Sequence, residues 1–259
     1  MRVSKGCDFC YAATFAKRNT STFGSWTPGA PRKRTSLENW RKPFAWDRAA
    51  VKAGERRRVF CSSMADFFDN AAPAEWRAEA WSVIRACRNL DFLLLTKRPQ
   101  NIARMLPPDW GDGYPNVWLG ATAENQDELN RRAPILRRVP AAVRFLSVEP
   151  MLSAVDASSE LTGISWCIVG GESGGGARPM HAEWAYDLLG QCRAAGIAPF
   201  FKQVGSNRGP DWPAGITGKG DDPAQWPEWC RVQHFPESAP RPVVQAATAD
   251  LFAEVSHAG

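Results

Sequence analysis

Six short stretches of this chain share one design, an apolar or β-branched run that stops abruptly in polar residues. They are Arg58–Ser62, Phe92–Thr96, Val117–Ala121, Val143–Ser147, Ile164–Gly170 and Ala198–Lys202. Most are nearly continuous in apolar character rather than alternating, which is the pattern of strands covered on both faces, as in parallel sheets. Between several of them the period changes to that of a helix. Pro73–Asn89 opens on a proline and sets Trp76, Ala80, Val83, Ile84 and Cys87 on one face. Asn125–Val139 does the same with Leu129, Ala133, Leu136 and Val139, and a third helix runs from near His181 to Gly196. Strands alternating with helices at the spacing of one βα unit imply parallel strands joined by right-handed crossovers.

Two architectures satisfy that alternation. A doubly wound sheet calls for a glycine-rich phosphate turn after its first strand, and here Ser63-Met64-Ala65-Asp66 follow instead. A (β/α) barrel calls for functional groups at the C-terminal ends of many strands. Asp66, then Lys97 and Arg98, Glu124 and Asn125, Glu149, Glu172, and finally Lys202 with Gln203 occupy those places in turn. The expected fold is therefore an α/β, partial or closed (β/α) barrel with six visible strands. It spans residues 1–204. Residues 205–259 form a Trp-, Pro- and Gly-rich extension, readable as a lid because Trp212, Trp226 and Trp229 are costly to leave in water, with a frayed last part.

Composition narrows the class without choosing a function. Hydrophobic residues at 44% and charged residues at 23% are ordinary for a globular chain. No apolar run approaches the eighteen or so residues of a membrane span, and the start lacks the apolar stretch of a signal peptide, so a cytoplasmic address is expected. Of seven cysteines, Cys61, Cys87, Cys167 and Cys192 sit inside apolar segments and read as buried thiols. The balance of +5 is mild, and local runs such as Arg32-Lys33-Arg34 and Arg56-Arg57-Arg58 read as solvated faces or as a nucleic-acid footprint.

Cys7 and Cys10 stand apart. Two thiolates with two residues between them can converge on one zinc or iron–sulfur centre, although both centres need further ligands, and plain thiols or a redox pair fit as well. Gly170-Gly171-Glu172-Ser173-Gly174-Gly175-Gly176 follows a strand, where bare backbone can approach a ligand and cradle an anion. Asp66 and Glu149 are carboxylates just past apolar strands, costly to desolvate unless paired, with Lys97, Arg98 and Lys202 as natural partners. They form an ion-pair ring, a polar pocket, or both. Asp66, Lys97, Glu149 and Lys202 are the candidate catalytic groups.

Seven ordered segments resemble the phage gp-thirty-seven/gp-sixty-eight family, a domain of unknown function similar in design to radical S-adenosylmethionine (SAM) enzymes. They are GCDFCYA at 6–12, FCSSMADFF at 60–68, LLLTKRP at 93–99, VWLGATAEN at 117–125, VRFLSVEPML at 143–152, WCIVGGESGGGARPMH at 166–181 and PFFKQVG at 199–205. The resemblance runs from Val3 to Gly205. It implies a [4Fe–4S] cluster held by three thiolates at the barrel mouth with SAM on the open iron, Cys7 and Cys10 supplying two ligands and Tyr11 shielding them. Gly170, Gly171, Glu172, Ser173 and Glu124 would then bind the cofactor. Family members carry a C-x6-C-x2-C pattern whose first cysteine would fall immediately before Met1, so a first strand and one ligand are expected upstream. The substrate class left open is a nucleic acid or nucleotide, with no membrane partner. The rival expectations are a degenerate member of the same fold acting as a binding protein, and a metal-independent hydrolase of nucleotides or sugars using Asp66, Glu149 and Glu172 as acid and base.

Overall fold

Each of the six apolar runs forms a strand in the computed structural model, which describes residues 2–27, 29–237 and 241–246. The strands are β1 (Arg57–Cys61), β2 (Leu90–Thr96), β3 (Val117–Thr122), β4 (Val143–Val148), β5 (Trp166–Gly170) and β6 (Ala198–Gln203). All neighbours are parallel and lie side by side in chain order, β1 to β6, in one sheet that curls into a half-barrel. Helices α4 (Ala74–Ala86), α6 (Gln126–Arg137) and α7 (Ala182–Ala194) return the chain between strands, and a short α5 (Ile102–Met105) follows β2. Before β1 come α1 (Tyr11–Arg18), α2 (Thr20–Phe23) and α3 (Leu37–Ala53).

Strand periodicity divides the core in two. Leu94, Leu119, Leu146, Cys167, Val169 and Phe201 face the helices and join their apolar stripes in the larger core. In α6 the predicted residues Leu129, Ala133 and Leu136 are buried, as is Val139 just past its end, and Asn125 caps the helix by accepting from the Glu128 amide at 3.0 Å. In α4 the predicted face is displaced. Val83, Ile84 and Cys87 are buried, Trp76 and Ala80 only partly so, and Trp81 is the ring that enters the core. It meets Phe67, Trp110 and Tyr114 there, and its indole donates to the Met105 carbonyl at 3.0 Å.

The concave side carries Leu93, Trp118, Val143, Phe145, Trp166 and Ile168. Gly120 has no side chain because one would overlap the Phe145 ring. Residues 232–235 run antiparallel beside β6, with the Phe201 amide donating to the Val232 carbonyl at 2.7 Å and the His234 amide to the Pro199 carbonyl at 3.0 Å. Phe235 then packs on Trp166 and Phe200, and the Arg58 guanidinium of β1 lies 3.6 Å from its ring centre. This segment links the two edge strands across the N-terminal end of the sheet. Arg241 continues it to Asp91 at the start of β2.

The extension therefore has two placements. Residues 205–208 stand beside the mouth, while 232–235 lie under the opposite end of the strands, where Arg241 also reaches Asp91. Trp212 and Trp226 pack on Phe201 in the main core. Most of the segment expected to fray lies outside the described residues.

Candidate functional site

The concave face continues upward past the strands, and the residues in phase with the aromatic layer become polar. Lys97, Glu124, Glu149, Glu172 and Lys202 each lie an even number of residues beyond an inward-facing position of their own strand. That phase brings them to one mouth.

Glu124 sits deepest and has no exposed surface. Its carboxylate takes hydrogen bonds from the Lys97 ammonium, from Ser4 Oγ at 2.6 Å and from Arg132 Nη1 at 2.7 Å. Burial alone would raise this acid, but Lys97 and Arg132 outweigh it and hold the carboxyl at about 2. Arg132 is itself fully buried and also donates to the Thr122 carbonyl and hydroxyl. Its signal in the sequence is an acid–acid–base series at four-residue steps, Glu124 just ahead of α6 and Glu128 and Arg132 on it, and sequence reasoning passed over it.

The cysteine segment lies directly on this acid. A single 3-10 turn, Lys5–Cys7, places Gly6 against Glu124 so closely that a Cβ would overlap the carboxylate. Cys10 caps the start of α1, and both thiols are half-buried and unbridged. Three further contacts clamp the segment. Arg178 donates to the Lys5 carbonyl at 2.9 Å, Phe9 lies against Gly176, and the Tyr11 hydroxyl donates to the Ser63 carbonyl at 2.9 Å. Burial, with smaller electrostatic contributions from its surroundings, raises the Tyr11 phenol. Ser62, just before that carbonyl, is the one non-glycine residue with positive φ, at 61°, among the described residues. Such strain is held only where the surroundings enforce it.

The remaining predicted residues fall into pairs. Glu172 receives Arg178 through both Nε (2.8 Å) and Nη2 (2.6 Å), and Arg178 also comes within 3.7 Å of Asp8, so this cation joins the glycine loop to the cysteine loop. Glu149 pairs with Lys202 at 2.8 Å, and this is the most open of the mouth pairs, with Lys202 half exposed. Asp66 accepts from the Phe68 and Lys97 amides, the Thr96 hydroxyl and Arg98 at 2.9 Å. All of its acceptor capacity is spent on fixing the loop after β1. Gly170 and Gly171 are buried, with Gly171 tight against the Val204 carbonyl, whereas Ser173 and Gly174–Gly176 form the open part of the loop. His181 stands apart, 3.5 Å from Asp211 and tilted against the Trp184 ring at 4.6 Å between centres.

The site thus has two thiols over a fully paired acid–base layer, with Glu149 and Lys202 open beside it. Among the described residues no group of three or more His, Cys, Asp or Glu is arranged to hold a metal ion. The donor set provides two of the thiolates that a three-thiolate cluster requires.

Together the sheet and its mouth define an α/β half-barrel with a polar site at the C-terminal strand ends, and among the described residues no helix is long and apolar enough to cross a membrane. Within that class, the chain belongs to the family described as protein of unknown function (DUF5131), whose model matches residues 1–229. No curated protein and no solved structure matches the chain.

Proposed function

We propose that this chain is a radical-SAM-like iron–sulfur protein whose cluster sits at the half-barrel mouth on Cys7 and Cys10. The observation that carries this reading is the clamping of the cysteine turn onto Glu124, at the strand ends where barrel proteins place their chemistry.

The chain's own groups have separable tasks under this reading. Cys7 and Cys10 bind iron. Glu124, Lys97 and Arg132 form a rigid floor that fixes the height of the cysteine turn. Glu149 and Lys202, one anion and one cation open to the mouth, suit the ammonium and carboxylate of an amino-acid moiety such as that of SAM. The exposed backbone of Gly174–Gly176 would take its polar remainder. When bound, such a cofactor supplies one-electron chemistry, and the protein supplies positioning and exclusion of water.

Anaerobic reconstitution with iron and sulfide tests the reading, using the chain as it stands and the same chain with one cysteine added ahead of residue 1. The expected result is a thiolate-to-iron charge-transfer band in both, with iron rising toward about four per chain in the second. Cys7→Ala and Cys10→Ala should remove the band and leave far-ultraviolet circular dichroism unchanged. A folded, colourless, iron-free protein in both forms contradicts the proposal. Loss of the fold in both cysteine variants points to a structural zinc instead.

A further inference from the structure

The positive charge of this chain is concentrated at one end. Residues 1–58 hold 14 Lys and Arg against four Asp and Glu, a balance of +10, whereas the whole chain carries +5. Exposed rings follow the same division. Nine large hydrophobic side chains are exposed among the described residues, and seven of them precede residue 61. Surface cations serve solubility, whereas exposed rings gathered in one region mark a candidate contact surface.

The two features meet in one strip beside the mouth. Tyr11, 54% exposed, opens α1 at the end of β1, and Phe15, 50% exposed, lies one turn further along. Arg18 falls on the same helix face by the 3.6-residue period, with Lys17 next to it. Phe15 meets Phe23 of α2 at 5.4 Å between ring centres, and Lys33 reaches back to the Ser21 carbonyl. The acids nearby are committed elsewhere. Asp8 pairs with Arg2 and Arg178, Glu55 pairs with Arg57, and Asp47 is buried against Asn89. Lys17, Arg18 and Lys33 all face solvent.

We propose that this strip binds single-stranded nucleic acid, with phosphates passing Lys17, Arg18 and Lys33 and bases stacking on Phe15 and Tyr11. Cations interleaved with flat rings match a strand whose bases are unstacked, and every base offers a face to stack. A duplex keeps its bases from such rings. An anionic membrane surface would favour a helix with rings on one face and cations on the other, whereas here Tyr11, Phe15 and Arg18 share a face. Because the strip begins at Tyr11, beside Cys10, a bound strand passes the mouth. The proposal stands apart from the iron–sulfur reading, since it requires neither thiol nor cofactor.

Fluorescence anisotropy of the full chain with a labelled thymidine oligonucleotide of about 12 nucleotides tests it. Affinity should fall with salt, by about 0.7 in logarithmic slope for each phosphate contact. Phe15→Leu keeps the packing on Phe23 but removes the stacking plane, and should weaken binding about tenfold with the slope unchanged. Lys17→Gln combined with Arg18→Gln should flatten the slope by about 1 to 1.5. Tyr186→Ala removes an equally exposed ring outside the basic region and should change nothing. The thermal midpoint of each variant reports that it is folded. Three results would each overturn the proposal: no salt-dependent binding, full affinity in Phe15→Leu, or phosphatidylglycerol vesicles binding while the oligonucleotide cannot compete.

Discussion

The concave face of the sheet is aromatic and dry at the N-terminal ends of the strands and charged at the C-terminal ends. Trp118, Phe145, Trp166 and Phe200 fill the lower layer, closed by Phe235, while Lys97, Glu124, Glu149 and Lys202 line the upper one. The same strands, in the same side-chain phase, build both. Height along the strand decides the role, because the lower layer is sealed from water by the 232–235 segment and the upper layer opens on the cysteine and glycine loops. Burial of rings stabilises the first; pairing of charges keeps the second folded while leaving polar groups near the mouth.

That division can be broken from either side. Phe145→Ala empties the centre of the aromatic layer and should cost about 3 to 5 kcal/mol in urea denaturation, with no dependence on pH.

Glu124→Gln should cost about 3 kcal/mol, because it removes the buried carboxylate that Lys97 and Arg132 share and leaves Arg132 only Glu128, at 3.0 Å. This loss should depend on pH. The folded carboxyl titrates at about 2, below its ordinary 4.5, so its contribution is complete above about pH 4.5 and disappears as pH falls through about 2. The stability difference between wild type and Glu124→Gln should therefore vanish in acid, as followed by urea midpoints from pH 6 downward. A pH-independent difference would mean that Glu124 acts through packing alone.

Gly120→Ala sharpens the comparison from within one strand. The added methyl overlaps Phe145 and should cost about 1 to 3 kcal/mol. Lys202→Met is the smallest effect, below about 1 kcal/mol, because its pair with Glu149 is half exposed. It should instead weaken SAM binding to the reconstituted protein, read by calorimetry.

Much of this arrangement is legible in the sequence. The six strands appear at their apolar runs because parallel strands buried on both faces leave a continuous apolar signature, and the rim acids follow from where those runs stop. The 17-residue helix α3 was not legible, since only Phe44, Asp47 and Ala50 of it are buried and Pro43 interrupts its interior. Trp81 escaped because two tryptophans five residues apart on α4 compete for one core, and only packing with Phe67, Trp110 and Tyr114 selects between them. The Arg178 bridge between the glycine and cysteine loops joins residues far apart in sequence, and such a contact has no local pattern. Nor does the path of Phe235 beneath the sheet, in a segment without a period of its own.

X-ray absorption at the iron edge of the reconstituted protein, with and without SAM, reads the proposed iron–sulfur site itself. An iron–sulfur site on Cys7 and Cys10 should show an iron shell of sulfur neighbours that gains a nitrogen or oxygen neighbour when SAM is added, in wild type and in Phe145→Leu alike, and that is lost in Cys7→Ala. A shell dominated by nitrogen and oxygen, unchanged by SAM and by removal of Cys7, would contradict it.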